Sequence, residues 1–179
     1  LKETNIIFSN RSTLIKKYGD TGIARIEHIL CQIVEADRTK SRETRIVYVD
    51  EEDPGCNKNT IKSDTEFRKS NKEVIDRIYD DYRRNGFDPS IVLLGSIDVI
   101  PHQHLENPDC DREDKKCFSE DDKWLESDLP YACDQGWSEQ VRDFLGPTRQ
   151  VGRLPDNYRG KWRRKKSGVP HWITYNRNI

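Results

Sequence analysis

Three short apolar runs alternate with longer stretches of helical periodicity along the chain. The runs, at 5–8, 45–49 and 90–95, contain several β-branched residues and are typical of buried strands. In the two stretches between them, apolar residues recur every three or four positions. The order of strand, helix, strand, helix and strand predicts an α/β fold, with a Rossmann-like parallel sheet covered by helices on both faces.

Local signals place the ends of the helices. Asn10 and Ser12 are candidates for the first N-cap, because short polar side chains accept hydrogen bonds from the first N–H groups of a helix. Gly19 and Gly22 separate a short helix from a longer amphipathic one. The Asn-Gly pair at 85–86 predicts the end of the next helix.

The second half of the chain is less regular. Residues 105–127 are rich in acids and lack periodicity, which predicts a surface loop inserted into the domain. Val151 and Leu154 indicate one more short strand, so the sheet would have about four strands. We therefore expect an incomplete α/β half-domain over 1–156 and a separate tail over 157–179.

Charge separates the tail from the rest of the chain. The formal net charge is −1 and the mean hydropathy is −0.97. The tail holds seven cations and no acid, which leaves 24 cations against 32 anions in residues 1–156. Because so acidic a body repels phosphate backbones, nucleic-acid binding would depend on the tail alone. We expect no nucleic-acid partner.

The sequence shows no signal for a membrane or for export. Its apolar runs are far shorter than the ~20 residues that cross a bilayer, and the N-terminus has no signal-peptide pattern. Met is absent and the first residue is Leu1, so we expect the true start to lie outside this sequence. These features predict a cytoplasmic protein with no membrane partner and leave the oligomeric state open.

The five cysteines form no CxxC pair. Cys110 and Cys117 lie in a charged stretch without a second ligand pair, so reduced thiols are favoured over a zinc site. Cys133 could form a nucleophile pair with a histidine. Asp128 and Asp134 flank it, and their charges would raise the pKa of its thiol. A structural cysteine is therefore the favoured interpretation.

Candidate ligand groups follow the predicted strands, since ligands of parallel sheets gather at the carboxyl ends of the strands. These groups are Asp50, the segment 95–102 and the segment 153–156. Neither a P-loop nor a GxGxxG motif accompanies them, so we expect no nucleotide cofactor.

A pair of histidines lies beyond the third run. His102 and His104 could bind a metal together with Asp98 and Glu106, but histidines bonded to the backbone of a loop are favoured. No metal site is therefore predicted.

Asp128 has two interpretations of equal weight. It lies between a polar loop and a short extended piece, close to the ends of the third and fourth strands. A carboxylate there could line a pocket for a cationic Lys or Arg side chain of a ligand. It could equally cap a turn before Leu129 and Pro130.

Three ordered motifs resemble a known family. They are Leu93-Leu94-Gly95 followed by Asp98 and Pro101, Ser127-Asp128 followed by Tyr131, and Gly152-Arg153. Together with the opening segment, they resemble bacterial proteins related to the gingipain (C25) family of caspase-like cysteine peptidases. The resemblance covers residues 5–156.

The resemblance implies a caspase-like, Rossmann-like layer that forms the first half of a catalytic unit. The catalytic His and Cys of that family lie in its second half, in sequence contexts that do not occur here, so no catalytic residue is assigned. The resemblance also implies that Asp128 contributes to substrate binding, because the corresponding Asp helps bind a basic side chain in Arg-specific members.

The tail does not continue the family pattern. Relatives follow this point with a turn and an amphipathic helix, whereas Gly168 and Pro170 interrupt any helix here. Back-translated from Asn157 with chosen synonymous codons, and read one base later, the tail yields a Gly-rich turn and then a Ser-Pro start to an apolar helix. We therefore predict that 157–179 is out of frame and disordered.

These inferences predict a truncated relative of cysteine endopeptidases that is inactive alone and needs no cofactor. In the intact parent, a His would deprotonate the Cys nucleophile, which would attack peptide bonds of a peptide or protein substrate, after basic residues. The alternative is a non-catalytic protein-binding or scaffold module. A nucleic-acid binder that uses the tail is the third hypothesis.

Overall fold

The structure is a computed structural model that describes residues 2–61, 63–110 and 120–156. The predictions about the tail over 157–179, including nucleic-acid binding by it, lie outside the described residues, as does Cys117. Within the described part, none of the helices combines the length and the apolarity that a bilayer crossing requires.

Six strands and three helices make up the described chain. In chain order they are β1 (Lys2–Ser9), α1 (Arg11–Thr39), β2 (Glu43–Tyr48), α2 (Val49–Glu52), α3 (Asp64–Arg84), β3 (Phe87–Leu94), β4 (Gln103–Glu106), β5 (Trp124–Ser127) and β6 (Val151–Leu154). Short 3₁₀ turns lie at Pro54–Cys56, Glu120–Lys123, Leu129–Ala132 and Val141–Phe144.

Four of the strands form one parallel sheet in the order β2-β1-β3-β6. β1 and β3 lie inside the sheet, and both carry long apolar runs because a central parallel strand is buried on two faces. The sheet is flanked by helices. The predicted α/β fold with an incomplete, Rossmann-like parallel sheet of four strands is confirmed.

The alternation of side chains assigns a helix to each face of the sheet. Asn5 of β1 hydrogen-bonds to Asp37 of α1, so odd-numbered β1 residues face α1. Arg45, the register partner of Ile6, hydrogen-bonds to Tyr82 of α3, so even-numbered β1 residues face α3. These opposite faces follow from right-handed connections between parallel strands. The connection from β1 to β2 and the connection from β2 to β3 run in opposite directions across the sheet, so α1 and α3 lie on opposite faces.

Three of the predicted helix signals act as expected, whereas Ser12 lies inside α1 and is not its N-cap. The Asn10 side chain accepts a hydrogen bond from the N–H of Thr13 and caps α1. Gly19 has a φ of 66°, a left-handed conformation that breaks the regular helix inside α1. Asn85 is the C-cap of α3. The local sequence therefore determines where these helices begin, kink and end.

The expectation of a loop over 105–127 is only partly right. The ends of this segment pair as the antiparallel strands β4 and β5. Leu105 of β4 is buried with Cys133 and Phe144 in a second, smaller apolar cluster. Tertiary contacts of Leu105 and of the buried Gln103 therefore accompany a strand in a stretch whose composition indicated none.

Candidate functional site

The carboxyl edge of the sheet brings the predicted strand-end residues together. β1, β2, β3 and β6 run parallel, so their last residues meet at one edge. The backbone N–H of Ser96, just after β3, donates to the carboxylate of Asp156, just after β6, at 2.5 Å. Asp50, just after β2, meets the start of α1. We take this edge as the candidate functional site.

Asp50 occupies the amino end of α1. Its two carboxylate oxygens accept hydrogen bonds from the backbone N–H groups of Arg11 and Ser12, each at 2.8 Å. The first N–H groups of a helix are where phosphates commonly bind. Here the chain's own carboxylate holds two of those donors, in agreement with the missing nucleotide motifs.

Asp156 is the anion of a second group at this edge. Lys17 of α1 lies 2.5 Å from Asp156 and 2.9 Å from Asp98. Burial opposes the charged form of Asp156, but hydrogen bonds from Lys17 and Ser96 outweigh it and hold the carboxyl pKa well below its usual range. The group joins α1 to the ends of β3 and β6.

Asp128 and Arg153 form a third and more ordered pair. Arg153 Nε lies 2.7 Å from one oxygen of Asp128, and Nη2 lies 2.5 Å from the other. Arg153 Nη1 donates to the carbonyls of Gly95, at 2.9 Å, and Ile100, at 2.8 Å. A planar guanidinium matched to a carboxylate on two bonds is a strong, geometrically specific contact.

This pair bears on both interpretations of Asp128. Asp128 starts the 3₁₀ turn Leu129–Ala132, but its side chain makes no capping hydrogen bond there. The hydroxyl of Ser127 accepts from the N–H of Leu129 instead. The cation that Asp128 meets is Arg153 of the same chain, so a substrate's basic side chain would have to share or replace that partner. Substrate binding by Asp128 stays a prediction.

His102 lies beside the pair. Its Nε2 atom is 3.8 Å from Asp128, and its Nδ1 atom is 3.8 Å from Glu126. Burial lowers the pKa of the His102 imidazole, against the opposing effect of the Asp128 carboxylate. Burial therefore favours the neutral ring over the charged one at this position.

The two histidines of the metal hypothesis share Glu126 as a neighbour, whereas the two acids of the hypothesis have other partners. His104 contacts Glu126 at 3.2 Å and stacks on Trp124. Asp98 meets Lys17, and Glu106 accepts from Gln140. Among the residues that the structure describes, no group of His, Cys, Asp or Glu side chains is arranged to hold a metal ion.

The two buried free thiols, at Cys56 and Cys133, are not activated, whereas Cys31 is free and exposed. Cys133 is 2% exposed, its Sγ donates to the carbonyl of Gly146, and burial raises its pKa. Burial, with a smaller effect of Asp53, raises the pKa of Cys56 to about 12. Cys110 is disulfide-bonded, so the expectation of reduced thiols is wrong at that position and the bonded sulfur is unavailable to zinc.

One buried charged cluster, formed by Lys72, Asp76 and Arg149, was not predicted from the sequence. Lys72 of α3 has a fully buried side chain, and its Nζ contacts Asp76 at 2.5 Å and donates to the carbonyl of Gln135 at 2.8 Å. Arg149, also buried, contacts Asp76 at 2.5 Å and packs over the ring of Tyr79. Since α3 and the segment before β6 both contribute, the cluster fastens that segment to the helix.

A cavity of about 580 Å³ lies at the opposite, amino edge of the sheet, away from the strand-end residues. Its lining includes Thr4 and Asn5 at the start of β1, and Pro89 at the start of β3. Arg149 also contributes to the lining, but its Nε and Nη2 atoms are buried without hydrogen bonds, and Nη2 lies 3.5 Å from Asp80. Arg42 lines the cavity as well, where its half-exposed side chain lies 3.6 Å from Glu3. We place the candidate site at the carboxyl edge because the strand-end residues meet there.

Comparison with known proteins adds no relative to this description. No family model matches the chain, and neither the curated proteins nor the solved structures contain a significant match.

Proposed function

We propose that the chain is the first half of the catalytic unit of a gingipain-related, caspase-like cysteine peptidase, and that by itself it does not hydrolyse peptides. In the proposed parent, residues outside this half supply the Cys nucleophile and the His that deprotonates it. Its substrates are peptides or proteins, cleaved after basic residues, with Asp128 contributing to the recognition of the basic side chain.

The state of the two buried free cysteines, Cys56 and Cys133, carries the proposal. A cysteine nucleophile needs a lowered pKa and access to substrate, and burial does the opposite at Cys133 and Cys56. The order β2-β1-β3-β6 supports the same proposal, since β6 is an edge strand of the described sheet and further strands can pair beside it.

A peptidase assay tests the proposed lack of activity. Fluorogenic peptides with Arg, Lys or Ala before the reporter are incubated with the wild-type chain and with Cys133→Ala. We expect no turnover above the buffer rate for either protein. Turnover of the Arg or Lys peptides that is lost in Cys133→Ala would contradict the proposal.

The nucleotide sequence tests the predicted loss of frame. It is read across the codon for Asp156 and beyond the codon for Ile179. The proposal expects a frame one base away that encodes a helix and, further on, His and Cys codons. A different sequence in that frame would contradict the predicted loss of frame.

A protein-binding or scaffold module is the second candidate. The self-contained pairing at the carboxyl edge favours it, because Asp50, Asp128 and Asp156 all meet partners within the chain. A cooperative unfolding transition and a single defined mass by light scattering would support a scaffold. A broad transition with concentration-dependent association would support an incomplete half-domain.

A cytoplasmic location belongs to the proposal and has its own test. Cellular glutathione keeps most cytoplasmic thiols reduced, so the Cys110 disulfide would not persist there. Alkylation of the protein in freshly lysed cells, followed by mass spectrometry, reports the state of Cys110. A labelled Cys110 supports the cytoplasm, and a bonded one places the protein in an oxidising compartment.

A further inference from the structure

We propose that the carboxyl edge contains a guanidinium-binding site, built from the Asp128 carboxylate and the carbonyls of Gly95 and Ile100, which Arg153 fills from within the chain. A small alkylguanidinium ligand binds this site when the Arg153 side chain is shortened, and external arginine side chains are excluded while it is present. The inference does not depend on the relationship to peptidases.

The first argument is the match between donors and acceptors. All three nitrogens of the Arg153 guanidinium donate hydrogen bonds, over distances of 2.5 to 2.9 Å. The acceptors come from three separate places in the chain, after β3, before β4 and after β5. A planar cation with a fork of N–H groups satisfies this arrangement, whereas a lysine ammonium cannot make the bidentate contact.

The second argument is that other contacts hold each acceptor in place. The N–H of Gly95 donates to Leu154 in the β3–β6 ladder, and Ile100 is completely buried. Asp128 lies three residues before Tyr131, which is also completely buried, and whose hydroxyl donates to the carbonyl of Pro101 at 2.8 Å. These contacts do not involve Arg153, so the site persists when that side chain is removed.

The third argument is access. The side chain of Arg153 is 12% exposed and that of Asp128 is 28% exposed, so the pair lies at the surface of the carboxyl edge. The Arg149 side chain, by contrast, is 1% exposed. A ligand from solvent can therefore reach the place of the Arg153 guanidinium, but it cannot reach the place of the Arg149 guanidinium without opening the structure.

Within the wild-type chain Arg153 acts as an internal competitor. A tethered group meets its partner at an effective concentration far above that of a free ligand. A free arginine side chain must also displace the hydrogen bonds that Arg153 makes to two carbonyls. We therefore expect no selective binding of arginine peptides to this wild-type chain at Asp128. Recognition of a basic side chain by Asp128 in the proposed parent requires that Arg153 release the carboxylate there.

Chemical rescue tests the site. Thermal unfolding of the wild type, Arg153→Ala and the double variant Arg153→Ala/Asp128→Asn is followed in rising methylguanidinium chloride, with methylammonium chloride as the matched salt. The expected result is a saturable rise in Tm for Arg153→Ala with methylguanidinium only, because a ligand of the folded state raises its stability. Neither salt should raise the Tm of the wild type or of the double variant.

Two outcomes contradict the proposal. One is a methylguanidinium effect of the same size in Arg153→Ala and in the double variant, which means that Asp128 is not the acceptor. The other is no effect in Arg153→Ala. If Arg153→Ala does not fold by itself, its circular dichroism after refolding in each salt decides: recovery in methylguanidinium alone supports the site, and recovery in neither overturns it.

A separate measurement tests whether Arg153 excludes external arginine side chains in the wild-type chain. Two peptides that differ only in Arg or Gln are titrated into the wild-type chain by calorimetry, with equal affinities expected. Stronger binding of the Arg peptide that is lost in Asp128→Asn would overturn the internal-competitor role. Because the readout is binding and not cleavage, this outcome is distinct from a failure of the proposed peptidase relationship.

Discussion

Two arginines of this chain pair with aspartates in different surroundings. Arg153 meets Asp128 at the carboxyl edge, where both side chains retain some exposure and every guanidinium nitrogen donates a hydrogen bond. Arg149 meets Asp76 beneath the segment before β6, with 1% of its side chain exposed and with Nε and Nη2 lacking hydrogen bonds. The same pair of residue types thus makes an accessible, fully matched contact in one place and a buried, incompletely matched one in the other.

The difference teaches what each pair can do. Burying two ions costs several kcal/mol for each, so a buried pair contributes little net stability, yet removing one partner is strongly destabilising. The Asp76 group therefore has a structural role, since the fold depends on all of its partners being present. Lys72 adds a second buried cation to it. The Asp128 group has a lower desolvation cost and a route to solvent, which are the properties of a site that a ligand can enter.

The most severe way to break this comparison is Asp76→Asn. The substitution leaves Lys72 and Arg149 buried without their shared anion, and we expect the free energy of unfolding to fall by about 3–5 kcal/mol. Glu73→Gln is the control on the same helix, because Glu73 pairs with Lys69 at 3.8 Å in an exposed contact. The control should change stability by less than about 1 kcal/mol.

Urea unfolding monitored by circular dichroism measures both variants. If Asp76→Asn and Glu73→Gln lower the free energy of unfolding equally, the buried group has no special structural role. If Asp76→Asn no longer folds while Glu73→Gln folds normally, the result is consistent with the prediction. Both substitutions remove one carboxylate from α3, and only the carboxylate of Asp76 belongs to the buried group.

A smaller effect is expected from Gly95→Ala at the carboxyl edge. Gly95 has a φ of 120°, and an added Cβ would lie 2.5 Å from the Cβ of Val99. A side chain there is strained by its backbone conformation, at a cost of about 1–3 kcal/mol, and it also displaces Val99. Because the carbonyl of Gly95 accepts from Arg153, the substitution disturbs the guanidinium site as well.

The control for this change is Gly136→Ala, since an added Cβ at Gly136 meets no atom within 4 Å. Thermal unfolding of the two variants gives the comparison. If Gly136→Ala costs as much stability as Gly95→Ala, neither the clash with Val99 nor the left-handed conformation explains the loss.

The smallest effect concerns His102 and pH. The ordinary pKa of a histidine is about 6.5, and burial lowers the pKa of His102 in the folded protein. The unfolded chain therefore binds this proton more readily. Stability is fully present above about pH 6.5 and declines as the pH falls from there through the folded pKa.

We expect His102→Gln to flatten the pH dependence of stability in this window, because the substitution removes the group that binds a proton more readily in the unfolded chain. The carboxylates of Asp128 and Glu126 raise the pKa of His102, whereas Arg153 and Arg68 lower it. His28→Gln, on the exposed surface of α1, is the control. Urea midpoints measured from pH 5 to 8 report the effect, and an unchanged slope in His102→Gln would refute it.

Much of the framework could be predicted from the sequence. The apolar runs that became β1 and β3 are continuous, because central parallel strands must be apolar on both faces, and a shorter run marked the edge strand β2. Asn10 and Gly19 act through their own backbone and nearest neighbours, so their roles were readable locally. The strand-end position of Asp128 also followed from the order of the elements.

The partners of the candidate site were not readable in this way. Asp128 is 25 residues from Arg153, and the pairing depends on how the segment between β3 and β6 folds back over the sheet. The sequence left an external cation and a turn cap as equal alternatives, and neither describes the contact that forms. The β4–β5 pairing was missed because it depends on burial of Leu105 against Phe144, far along the chain.

Two ion pairs of α3 show where the sequence alone stops. Lys69 with Glu73 and Lys72 with Asp76 have the same spacing of four residues, which on a helix brings oppositely charged side chains together. The sequence determined that both pairs can form. Only the tertiary structure decided that Lys72 is buried while Lys69 remains exposed, because the segment around Gln135 covers one side of the helix and gives the ammonium group its carbonyl partners.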